Sequence, residues 1–98
     1  MSKRVSYDLL SEQLGAPFPE SRAGRELLYR LTARAIRERL PTRQQEVIRL
    51  CILEGLTVRQ AAEKLGVSAA TVSRERKRAC ITLRAALEYV FDFLTHQT

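Results

Sequence analysis

Apolar residues recur at spacings of three and four along most of this chain, as in helices that bury one face, and nowhere alternate as in a strand. Leu9, Leu10 and Leu14 define a short first helix that Ser6 can cap and Gly15 ends. The stretch GAPFPE, residues 15–20, cannot continue it, and Phe18 between two prolines is expected to pin this loop to the core. A longer helix runs from Ser21 to about Arg39, with Leu27, Leu28, Leu31, Ala35 and Ile36 on its apolar face. Leu40-Pro41 breaks the pattern, because proline disfavours helix at the residue before it and suits the start of the next one. The segment Thr42 to Glu54 then carries Val47, Leu50, Cys51 and Leu53 as its apolar set, and Gly55 closes it.

After Leu56 the pattern tightens. Thr57 is a good N-cap, and Val58, Ala61, Ala62 and Leu65 share one face of the helix it opens. Gly66 can adopt the left-handed conformation of a helix end, Val67 is the apolar residue of the turn, and Ser68 caps a second helix from Ala69 with Val72 as its first inward residue. A small Ala62 lets two helices cross closely. These are the marks of a helix-turn-helix. No Gly or Pro interrupts Ala69 to Phe93, so the last helix continues well past the turn. Its stripe of Leu83, Leu87, Val90, Phe91 and Leu94 fits packing against the N-terminal helices or, alternatively, a homodimer seam. The chain therefore reads as all-α, a small domain of about five helices. Residues 1–39 are a helical lead-in packing on the core, and residues 40–98 hold the helix-turn-helix with an extended C-terminal helix.

Charge adds a partner to this outline. Of 98 residues, seventeen are Lys or Arg and eleven are Asp or Glu, a net charge of +6 that suits a polyanion. From Arg74 to Arg84 five residues are basic and one is acidic, whereas Ala85 to Thr98 carries only Glu88 and Asp92. The arginines of the Ser21–Arg39 helix form a second basic face, read either as a solvated surface or as contacts to phosphate or acidic protein. Cys51 and Cys80 have no metal-ligand spacing and occupy apolar helix positions, so they read as small buried residues of a reducing compartment. His96, near the end, is expected to be exposed. Neither a membrane helix nor a signal peptide is apparent, and a cytoplasmic protein is expected. Paired carboxylates, a working histidine, a Gly-rich phosphate loop and a metal cluster are all missing from the pattern, so neither an enzyme nor a cofactor is expected.

The stretch Leu40 to Leu87 resembles region four of the sigma-70 family of bacterial RNA polymerase sigma factors. The likeness rests on Leu40-Pro41, Arg43-Gln44, Glu46-Val47, Leu53-Glu54-Gly55-Leu56-Thr57, Ala62, Leu65-Gly66-Val67-Ser68 and Thr71-Val72. It implies that the helix over residues 69–84 enters the major groove of a promoter element while the preceding helix crosses the backbone. Matched position by position, Ser68, Ala69, Ala70, Ser73, Arg74 and Lys77 would face the bases, with Arg74 the best reader because its planar fork can donate twice to guanine. Arg43, Arg59, Thr71, Arg76 and Arg78 would take phosphates. The chain departs from the family in two ways. Ala69 and Ala70 replace long polar side chains, which thins direct readout, and either Glu75 or Arg76 stands where an aliphatic residue is usual.

The resemblance leaves two functional classes open. The first is a DNA-binding transcriptional regulator on double-stranded DNA, a short sigma-like protein without the part that melts promoters. The second is a protein-interaction adaptor, anti-sigma-like or docking on the flap of the RNA polymerase core, or a supplier of region four to a sigma-like partner.

Overall fold

The computed structural model describes residues 13–15 and 19–95. The expectations for Ser6, Leu9, Leu10, Phe18, the Leu94 side chain and His96 fall outside the described residues. Within them the chain forms α1 (Arg22–Arg39), α2 (Thr42–Ile48), a π-helical turn (Arg49–Leu53), α3 (Val58–Leu65) and α4 (Ala69–Thr95), with no strand. The all-α reading and the long last helix are both borne out; α4 is 27 residues long.

Local chemistry explains the boundaries. Ser21 caps α1, its Oγ accepting from the Gly24 amide at 3.0 Å. At the other end Leu40 is extended before Pro41. The corner between α1 and α2 is closed by Gln45, whose Nε2 donates to the Leu40 carbonyl at 2.9 Å. Thr32 is a polar residue buried in α1, and its hydroxyl donates to the Leu28 carbonyl at 2.7 Å, so its burial leaves no unmet donor.

The segment Thr42 to Glu54 differs from its expected single helix. α2 ends at Ile48, and the next five residues form a wider turn that closes with the Glu54 amide on the Arg49 carbonyl at 2.9 Å. The buried set is Val47, Ile48, Leu50 and Ile52, while Cys51 and Leu53 are only partly covered. At regular α-helical pitch Leu53 would follow Leu50 around the helix. The wider turn instead carries it to the side of Ile48 and Ile52.

Two apolar clusters result. In one, Val47 and Leu50 meet Ala61 and Ala62 of α3 and Val72 of α4. In the other, Ile48 and Ile52 meet Leu28 and Ala35 of α1 together with Ala79, Leu83, Leu87, Val90 and Phe91 of α4. α4 packs against α1, α2 and α3 and so takes part in both. Its Leu83–Phe91 stripe is thus core, packed on the lead-in helix as the first of the two readings expected. That stripe is not available as a dimer seam.

Two substitutions separate the observed register from the expected one. Ile52→Ala should destabilise the protein by about 2–5 kcal/mol in chemical denaturation, as removal of a buried side chain does, whereas Leu53→Ala should cost clearly less. An equal loss at the two positions would contradict the π-helical register.

Candidate nucleic-acid interface

Three residues, Gly66, Val67 and Ser68, join α3 to α4, and each end of the joint is tied by its own backbone and side chains. Thr57 and Gln60 form a reciprocal capping box at the start of α3. The Gln60 amide donates to Thr57 Oγ1 at 3.0 Å, and the Thr57 amide donates to Gln60 Oε1 at 2.9 Å. Gly66 ends α3 at φ 70° and ψ 33°. The Val67 amide reaches back to the Ala62 carbonyl at 3.1 Å and the Gly66 amide to Glu63 at 3.4 Å, the paired closure of a Schellman end. Ser68 Oγ then accepts from the Thr71 amide at 3.1 Å, capping α4. Val72 is fully buried against α3, which fixes the rotation of α4 and decides which residues of its first turns face outward.

Ser68, Ala69, Ala70, Ser73, Arg74 and Lys77 are all exposed on this free end of α4. The Ser68 hydroxyl is already engaged, since it also donates to Thr71 Oγ1 at 2.9 Å. Arg74 Nη2 donates to the same Thr71 oxygen at 3.4 Å, so one nitrogen of its guanidinium is turned toward the helix start. Arg59 is exposed in the first turn of α3, close in sequence to the cap. Arg43 is exposed on α2 with its Nε 4.0 Å from Glu46, and Arg78 is exposed with Nη1 3.4 Å from Glu75.

Arg76 stands apart from the other candidates. It is partly buried, one turn after Val72, and acts electrostatically on both Cys51 and Cys80. Glu75 beside it is likewise partly buried, its side chain 18% exposed, so both residues lie at the edge of the packed side where the family pattern has an aliphatic residue. The two thiols are partly buried rather than fully so; burial pushes both pKa values up, and Arg76 opposes this by a smaller amount. Both thiols are consequently poor nucleophiles at neutral pH.

Sequence reasoning missed two commitments. Gln60 is consumed by the capping box, a T-x-x-Q signal that was present in the sequence. Arg84, counted in the basic run, donates to the Leu14 carbonyl seventy residues away, for which no local signal exists. Elsewhere, Arg22, Arg30, Arg37 and Arg39 are exposed on α1, while Arg34 is held by Glu38 at 2.9 Å. Among the described residues no cluster of His, Cys, Asp and Glu could hold a metal ion, and no helix is long and apolar enough to cross a membrane.

Comparison with known proteins agrees with this geometry. The family model described as sigma-70, region 4 matches residues 31–87, from the second half of α1 through the buried turns of α4. Neither the curated proteins nor the solved structures give a match. The matched span covers more than half of the sequence and includes the capped helix-turn-helix, both apolar clusters' contributions from α2 and the exposed end of α4, and the chain belongs to the sigma-70 region 4 family, whose domains bind DNA in transcription.

Proposed function

We propose that this protein is a sequence-selective transcriptional regulator that inserts the first turns of α4 into the major groove of a promoter element. The observation that carries the reading is the free end of α4. With Val72 buried beneath it, Ser73, Arg74 and Lys77 stand exposed together with Ala69 and Ala70, on a helix start whose own hydrogen bonds are met by Ser68. Arg74 is the principal base reader, through bidentate donation to a guanine edge. Ala69 and Ala70 offer only methyl contact to thymine, so selectivity is modest. Arg59 and Arg78 take phosphates and set register, with Arg43 beside them. The net charge of +6 supplies the long-range attraction. The site of action is the cytoplasm, where the DNA and its polymerase are, and the protein performs no catalysis.

A second reading, docking on RNA polymerase as an adaptor, is favoured by one feature. Between α1 and α2 lies a cleft of about 270 Å³ lined by Ile36, Ile48 and Leu53 with Arg37, Glu46 and Arg49 at its edge. None of its lining residues is among those proposed to read bases or to take phosphates.

Three measurements test these readings. Titration of a selected duplex against rising salt should give a linear fall in log affinity, about 0.9 per phosphate neutralised, and Arg78→Ala should lower that slope by about one while weakening all duplexes alike. Arg74→Ala should cost about 1–3 kcal/mol on the selected duplex and little on random DNA, which flattens the preference. Equal affinity of wild type and Arg74→Ala for every duplex would defeat the proposed readout. Capture of polymerase from a cell extract, with no duplex bound at physiological salt, would transfer the function to the adaptor reading.

A further inference from the structure

Three large apolar side chains are exposed among the described residues, and all are on α4: Ile81 is 62% exposed, Tyr89 68% and Phe93 55%. With the exposed Ala85 they recur every four residues along the side of α4 turned away from Leu83, Leu87 and Val90. Single exposed apolar residues are ordinary on a protein surface, but a row of three on one helix face is the pattern of a contact surface. The row borders a cleft of about 250 Å³ between α1 and α4, floored by Leu31, Ala35 and Ala86 and rimmed by Arg34, Glu38 and Tyr89. Of the row only Tyr89 reaches this cleft, whose rim is the Arg34–Glu38 ion pair, so the apolar row is bordered on that side by charge.

Charge along the same helix indicates what covers this row. In the half from Arg74 to Arg84, Arg74, Lys77 and Arg78 are exposed, while Arg76 is partly buried and Arg84 is bonded to the Leu14 carbonyl; the half beyond it carries the exposed acids Glu88 and Asp92. Such a helix is complementary to itself in one orientation. Set antiparallel, each basic half lies along the acidic half of the other copy; set parallel, like charge stacks on like. A two-fold antiparallel arrangement also repeats every contact, as self-complementary interfaces do, and brings the small Ala85 to the region of closest approach.

We propose that this face of α4 pairs with the same face of a second copy, antiparallel, to form a reversible homodimer. The face is distinct from the buried Leu83–Phe91 stripe. A paired stretch of about 15 residues is only about 22 Å long, and two such helices bury less than the roughly 1,200 Å² at the lower end of stable interfaces. Association is accordingly weak, in the micromolar range or above.

Sedimentation equilibrium of the full chain, run without DNA over a micromolar concentration series, tests the proposal. The expected result is a monomer–dimer equilibrium that Tyr89→Glu weakens at least tenfold, since the substitution is felt twice across a two-fold axis, with thermal unfolding unchanged because Tyr89 is exposed in the monomer. Glu88→Lys should weaken it by about threefold to tenfold, as a charge pair at a partly exposed seam does. A monomer at every concentration overturns the proposal and leaves the face to another protein. A dimer indifferent to Tyr89→Glu places the contact elsewhere and also overturns it. A dimer lost with Tyr89→Glu but untouched by Glu88→Lys overturns the antiparallel arrangement.

Discussion

The segment from Val47 to Ile52 has to be buried on two sides at once, and the rest of the fold depends on how it manages this. Val47 and Leu50 face α3 and Val72, whereas Ile48 and Ile52 face α1 and the middle of α4. A helix of ordinary pitch and this length would present one apolar stripe to one neighbour. Ile48 already faces the second neighbour before the π-helical turn over Arg49–Leu53 begins; the turn adds Leu53 to that side along with Ile52, and Cys51 touches both clusters. The Leu56 amide then returns to the Leu50 carbonyl at 2.9 Å, which directs the chain into Thr57 and the capping box of α3. The same short segment thereby forms a wall of the helix-turn-helix and a wall of the lead-in core.

The continuity of α4 makes these two cores a single mechanical unit. Its first buried residue, Val72, belongs to the α3 cluster; the buried residues from Ala79 onward belong to the α1 cluster. Rotating the reading end about the helix axis would have to pull Leu83 and Leu87 out of their places against α1. Interiors at crystal-like density resist such shifts. Arg84 adds a tie at the middle of the rod by donating to Leu14. The lead-in thus contributes to the site without touching it, by holding the helix that carries it.

At the site itself, the economy of local hydrogen bonding limits what can be read. Ser68 and Thr71 spend their hydroxyls and amides on starting α4, and Gln60 spends its side chain on starting α3. Ala69 and Ala70 contribute only methyl groups. In the proposed readout, sequence preference therefore falls on Arg74, with Ser73 and Lys77 beside it, while surrounding arginines supply attraction that is indifferent to sequence. The proposed pairing of α4 with a second copy draws on the segregation of charge along the same helix, basic toward its start and acidic beyond.

The long first and last helices, the caps at Thr57 and Ser68, the Gly66 closure and the sigma-like order of residues were legible in the sequence, whereas the π-helical turn within Thr42–Glu54 was not. Each legible feature depends on groups within about four residues of one another, so a linear pattern contains the whole interaction. The candidates at the start of α4 came from the family resemblance, matched position by position, and the structure leaves them exposed around the buried Val72. The choice of Ile52 over Leu53, the partial burial of both Glu75 and Arg76, the bond from Arg84 to Leu14 and the assignment of the Leu83–Phe91 stripe to the core were decided only by the tertiary structure. Periodicity states that a helix has a face to bury; which neighbour covers it, and whether a wider turn must intervene to reach a second neighbour, is set by packing between segments distant in the chain.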